Sequence, residues 1–188
     1  MYETKSFDNL LGTSGFSDTM LKNHFTLYQG YVSNTNKLAE ELKTAEQGTP
    51  QYNEMKRRFG WEWNGMRLHE LYFGNMKNGG SKLDPASKLW AQMDKDFGPK
   101  PAWRNDFKSV GSMRGIGWAV LYYDPEGNKL FNIWVNEHDM GHLAGAVPLL
   151  VLDVFEHAYT LDYGIKKADY IETFFKAVDW EAAAARFH

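Results

Sequence analysis

Apolar residues recur along this chain at two different periods, and the change of period divides it in two. From Ser17 onward the repeat is helical: Met20, Leu21, His24, Leu27, Tyr28, Tyr31 and Val32 share one face, with Ser17 placed as an N-cap and Asp18 in the first turn. The pattern fades toward Leu38 and Leu42, so it predicts a long first helix with Gly30 inside it as a bend or a point of close approach. Gly48-Thr49-Pro50 then punctuates the chain, Thr49 suiting an N-cap and Pro50 the first helical position. The second helix carries Met55, Phe59, Met66, His69, Phe73 and Met76 on its apolar face and is expected to end near Asn78-Gly79-Gly80. Each of the two antiparallel helices thus turns one histidine inward, and His24 and Tyr31, seven residues apart, fall on nearly the same face.

Gly79-Gly80-Ser81 is the expected boundary between this helical hairpin, residues 1–80, and a second part, residues 81–188. A third helix is predicted from Asp84-Pro85 to Phe97, then a short helix or turn from Pro101 to Met113. There the period changes to that of strands. Gly117 to Tyr123, a turn at Asp124-Pro125-Glu126-Gly127, and Leu130 to Val135 make a hairpin, and the run from Val147 to Leu152 reads as a third, buried strand. Between them lies a polar loop with His138 and His142. Helices over 168–177 and 179–187, the latter capped by Asp179, complete the chain. The fold class expected is mixed α/β: an N-terminal α-hairpin, then helices around a three-stranded antiparallel sheet.

Composition narrows the function. At 188 residues, with 15% aromatics and seven Trp, the chain supports one dense, aromatic-walled core. Charges of both signs are interspersed to a net of -3, with no basic stripe, which argues against nucleic acid as a partner. The absence of cysteine removes disulfides, thiolate ligands and thiol nucleophiles. Neither a signal segment at Met1-Tyr2-Glu3-Thr4-Lys5 nor a run of membrane-spanning length is present, so no membrane partner and a cytoplasmic location are expected.

The third strand ends in Asp153, with His157 one turn further on. A carboxylate delivered to the interior needs hydrogen bonds, a counter-charge or a metal. Convergence of His24, His69, Asp153 and His157 would give three imidazoles and one carboxylate, a set suited to Fe, Mn, Zn or Co with a coordination position left open. Each residue also has a plainer role. An inward histidine on an aromatic helix is often core, and Asp153 also fits as the N-cap of a helix holding His157. Tyr31 and Trp118 fit as core, Gly65 as a helix contact, and His138 and His142 as exposed loop residues.

Asp153-Val154-Phe155-Glu156-His157-Ala158-Tyr159, with Leu161-Asp162-Tyr163, Asp169-Tyr170-Ile171, Asp179-Trp180 and Ala184-Ala185-Arg186-Phe187, closely resembles the C-terminal signature of iron/manganese superoxide dismutases, Asp-x-Trp-Glu-His-Ala-Tyr. The resemblance extends to Leu68-His69-Glu70-Leu71-Tyr72-Phe73 and Gly115-Ile116-Gly117-Trp118 and covers essentially the whole chain. It implies one Fe or Mn ion per subunit, held by His24, His69, Asp153, His157 and a solvent molecule, that disproportionates superoxide by alternating between trivalent and divalent states. It implies Tyr31 as gateway tyrosine, His138 as hydrogen-bond donor to the ligated solvent, and Trp118 as a wall of the pocket. Glu156 would reach the partner's ligand in a homodimer, or in a dimer of dimers.

Several positions depart from the family pattern. The family spaces its first ligand eight residues before the gateway tyrosine, so alignment through Tyr31 would put Asn23 at the ligand position. The interface His and Tyr of the family correspond here to Leu27 or Tyr28 and to Thr160. Phe73 and Phe155 replace Trp, and Gly65 stands where iron-type members carry Gln, a combination that leaves His138 as donor and resembles cambialistic members. The competing readings are a redox-silent metal-binding homologue, and a zinc hydrolase with Glu156 or His138 as general base.

Overall fold

Helix α1 (Asp18–Thr44) starts where the Ser17 hydroxyl accepts the Met20 amide, and α2 (Pro50–Gly74) where Thr49 accepts that of Tyr52. The computed structural model describes residues 1–99 and 101–188, and in it these two helices pack antiparallel as the apolar pattern requires. Gly30 causes no bend: α1 runs unbroken through it, and a Cβ there would meet nothing within 4 Å. The close approach is at Gly65 on the facing helix, where a Cβ would lie 2.6 Å from the Tyr31 ring.

Helix α2 stops at Gly74, earlier than the expected end near Asn78, because the next residue turns its side chain to other work. Buried Asn75 donates from Nδ2 to the Tyr72 carbonyl and accepts the Val151 amide at Oδ1, each at 2.8 Å. Helix α3 (Lys88–Phe97) starts at Ser87 rather than at Asp84-Pro85, since Asp84 closes a turn of its own by accepting the Ala86 amide. Residues beyond 101 form a true helix, α4 (Ala102–Gly111). A 3-10 turn at Asp8–Leu10 lies in the opening that the sequence marked only as polar.

Strands β1 (Gly117–Asp124), β2 (Lys129–Asn136) and β3 (Val147–Asp153) form one antiparallel sheet in the order β2-β1-β3. The central strand pairs Trp118 with Asp153 on one side and with Val135 on the other. From Leu149 to Asp153 every residue of β3 is buried, as its unbroken apolar run predicts. After β3 comes a 3-10 turn, Glu156–Ala158, where a helix was expected to carry His157. Helices α5 (Thr160–Tyr163), α6 (Lys167–Ala177) and α7 (Trp180–Ala185) follow, the last capped by Asp179 through the Glu181 amide. Among the described residues no helix is long and apolar enough to cross a membrane.

Strand β3 lies at the edge of the sheet, so the outward backbone groups of alternate residues lack a ladder partner. Side chains supply the missing bonds in sequence. Arg186 donates to the Leu149 carbonyl at 2.8 Å, Asn75 accepts the Val151 amide, and the Tyr170 hydroxyl donates to the Asp153 carbonyl at 2.8 Å. Three elements distant in sequence thereby fix the line of the strand that ends in Asp153. Asn75→Ala strips two buried partners at once and should lower stability by about 2–3 kcal/mol, measured as a lower urea midpoint at unchanged slope.

Candidate metal centre

Four elements each bring one ligating side chain to the seam between the hairpin and the sheet. His24 comes from α1, His69 from α2, Asp153 from the end of β3 and His157 from the turn after it, and their ligating atoms all lie within 4.8 Å of one another. Asp153 Oδ2 is the focus: Nε2 of His24 and of His157 approach it to 3.2 Å, and Nε2 of His69 to 3.6 Å. Asp153 does cap locally, Oδ1 accepting the Phe155 amide at 2.8 Å, but this occupies only one of its oxygens. The N-cap reading and the ligand reading therefore apply to different atoms of one carboxylate.

Protonation follows from burial. Desolvation alone would raise the Asp153 carboxyl, but His157 and His24 beside it outweigh that and hold it well below the ordinary carboxylate range. Burial pushes His24 down and His69 further down, so both are neutral imidazoles near pH 7. At His69 the tautomer is settled by its neighbour: Nδ1 lies 2.6 Å from the Gly65 carbonyl, which only accepts, so Nδ1 carries the hydrogen. Nε2 then presents a bare lone pair to an ionised carboxylate, fully buried and without a hydrogen-bond partner among the described residues. Two acceptors facing each other across a buried gap call for a cation between them.

A second layer shapes this centre. His138 is fully buried on the loop after β2, and burial lowers its pKa to about 4, so it too is neutral. Trp118 Nε1 donates to His138 Nδ1 at 3.1 Å, which leaves the hydrogen on Nε2, and that hydrogen is donated to the Tyr31 hydroxyl at 2.8 Å. The Tyr31 ring stacks on His69 with centroids 5.1 Å apart, and burial raises its pKa, so it keeps its proton. Phe155 stacks on both His138 and His157, and Trp118 closes edge-on against His69.

All four expected ligands meet here, with Tyr31, His138 and Trp118 around them. Asn23 is exposed, and it is His24, even with the shorter spacing, whose ring joins the cluster. Tyr28 is buried and donates to Glu70, which leaves Leu27 as the exposed residue at the position of the family's interface histidine. Glu156 is exposed, and both ring nitrogens of His138 are engaged, so neither serves as a general base beside the ligands. Sequence reasoning missed Trp61, whose ring lies 4.4 Å from His138 and 5.7 Å from Tyr31, with the Arg58 guanidinium 4.1 Å from the Trp61 ring centre. Its position two helical turns before His69 was a usable signal.

Comparison with known proteins gives one consistent family. A family model described as iron/manganese superoxide dismutases, C-terminal domain, matches residues 85–186. Superoxide dismutase [Mn] 2 of Haloferax volcanii is 38% identical over 168 residues, covering 87% of this chain and 82% of the relative. Superoxide dismutase [Fe] of Cupriavidus metallidurans is 36% identical over 181 residues, with 93% and 89% covered, and superoxide dismutase [Fe] of Aquifex pyrophilus is 35% identical over 182 residues, with 92% and 84% covered.

Two outcomes follow from the geometry. Gly65→Ala would ordinarily favour a helix, but its methyl group would displace the Tyr31 ring, so the variant should lose stability by about 1–3 kcal/mol and perturb Tyr31 fluorescence. In the metal-free protein, His24, His69 and His138 have depressed pKa values, so below 6.5 the unfolded chain takes up protons that the folded one refuses. Stability should therefore be level above about pH 7 and fall on acidification, by up to about 1.4 kcal/mol per pH unit for each such imidazole, as read from denaturation midpoints between pH 7 and 5.

Proposed function

The chain belongs to the iron/manganese superoxide dismutases, and from that membership we propose that His24, His69, Asp153 and His157 hold the iron or manganese ion at which it converts superoxide to dioxygen and hydrogen peroxide. The observation that carries the assignment is the buried, unpartnered Nε2 of His69 facing the ionised Asp153. A bound ion of this kind supplies one-electron chemistry, taking an electron from one superoxide and giving one, with two protons, to the next.

The protein's own residues determine what surrounds that chemistry. Asp153 contributes one fixed negative charge, and the buried His24 and His69 imidazoles contribute none. Because His138 spends its only ring hydrogen on the Tyr31 oxygen, the Tyr31 hydroxyl hydrogen is left to point elsewhere, beside the His69 ring. Tyr31 is thus the proton-bearing group that the site offers to an incoming anion, and its raised pKa makes it a hydrogen-bond donor rather than a phenolate. Trp118, Phe155, Phe73 and Trp61 keep bulk water away from these polar atoms and strengthen their fields.

Both metals are consistent with the ligand set and with relatives named for each, which supports a cambialistic reading. We propose further that the protein is a cytoplasmic homodimer. In support, His157 is the one ligand of the four with substantial side-chain exposure, 29%, and the exposed Glu156 beside it is free to reach the partner subunit's His157.

The test is to quantify Fe and Mn in the purified protein and to follow superoxide removal before chelation, after chelation, and after reloading with each metal. Activity should vanish on chelation and return with iron or manganese. His24→Ala should lose metal and activity, whereas Asn23→Ala should retain both. A metal-loaded protein that removes no superoxide would sink the reading.

A further inference from the structure

The loop that carries His138 holds a second histidine which the site so far leaves unused. His142 lies four residues further on, half-buried, with Nε2 2.9 Å from the His138 carbonyl and Nδ1 2.7 Å from the Tyr122 hydroxyl. The carbonyl only accepts, so Nε2 carries the hydrogen and Nδ1 receives that of Tyr122. Tyr122 is buried on β1, the strand that also carries Trp118.

The backbone is bent to make this contact. Glu137 adopts a left-handed φ of 49°, and Asn136 and Met140 exchange backbone hydrogen bonds of 2.8 and 3.3 Å. Gly141 follows with φ 104°, where a Cβ would fall 2.7 Å from the Trp134 carbonyl. This tight turn returns His142 to the peptide of His138. Non-glycine residues in left-handed backbone and close turns of this kind are kept where surrounding contacts over-determine them.

His138 needs such support. Its ring makes two directional bonds at opposite edges, one to Trp118 on β1 and one to Tyr31 on α1, and a small swing of its backbone would break one of them. We infer that His142, braced by Tyr122, is a positioning residue that holds the His138 peptide so that its ring joins Trp118 to Tyr31. Strand β1 then serves as a single frame for both parts of His138: Trp118 sets the ring, and Tyr122 sets the peptide through His142. The kinetic consequence rests on the dismutase reading, whereas the geometry holds for the protein with or without metal.

The experiment compares Tyr122→Phe, His142→Phe and His142→Gln with the parent protein, reading the His138 ring nitrogens by 15N NMR in the metal-free state and kcat and KM in the metal-loaded state. The parent should show His138 only with its hydrogen on Nε2. In Tyr122→Phe and His142→Phe the other tautomer should reach at least about one-fifth of the population, with kcat down about fivefold and KM changed less than about twofold. His142→Gln, whose amide can still donate to the carbonyl, should recover at least half of both effects. The inference is overturned if the two Phe variants, folded by circular dichroism and cooperative melting, keep one tautomer and the parental kcat, or if His142→Gln is as impaired as His142→Phe. Should the parent remove no superoxide, the dismutase reading fails, and the tautomer comparison alone still decides the role of His142.

Discussion

A buried, ionised carboxylate governs this structure. Asp153 is fully enclosed, and an enclosed negative charge is tolerated only where neighbouring groups are arranged for it. Three histidines from three separate elements converge on its Oδ2. The packing of the hairpin against the sheet is therefore constrained at one point by charge rather than by volume. Aromatic rings fill the space around that point: His24, His69 and His157 touch one another edge-on or stacked, with Phe73, Trp118 and Phe155 outside them.

Holding Asp153 in place falls to the edge of β3. Leu149, Val151 and Asp153 turn backbone groups away from the sheet, and Arg186, Asn75 and Tyr170 meet them in turn. Tyr72 extends this set, bonding the Tyr170 hydroxyl at 3.0 Å and lying 5.4 Å from the His24 ring. The Asp153 end of the strand is thus braced from behind by the same helix, α2, that supplies His69 in front. Order at the site and order in the fold share one network.

The helices, the strands and the four side chains that converge at the seam were legible in the sequence, the elements because each rests on local signals. Ser17 and Thr49 cap, Pro50 opens a helix, and the apolar runs change period at Gly117. The misreadings fell where tertiary contacts overrode local preference. Gly30 looked like a point of close approach and has no neighbour, whereas Gly65, also read as a helix contact, does face the Tyr31 ring. Helix α2 ended early because Asn75 serves a strand 76 residues away, a partner no local pattern reveals. His142 was unreadable for the same reason, since its meaning depends on a turn that folds it back on His138 and on a hydroxyl from β1.

The treatment of the sheet's margins bears on how copies of the protein can meet. Besides the three bonds along β3, the opposite margin carries one cap of its own: Asp96 accepts the Leu130 amide, while the Asn132 side chain ties β2 to α4 through Trp103 and Asp106. A three-stranded sheet with free margins is a template on which a further strand, from another copy or from a partly unfolded chain, can add. Here the Leu149 and Asp153 carbonyls and the Val151 and Leu130 amides are already taken by side chains, which works against fibril-like growth by strand addition.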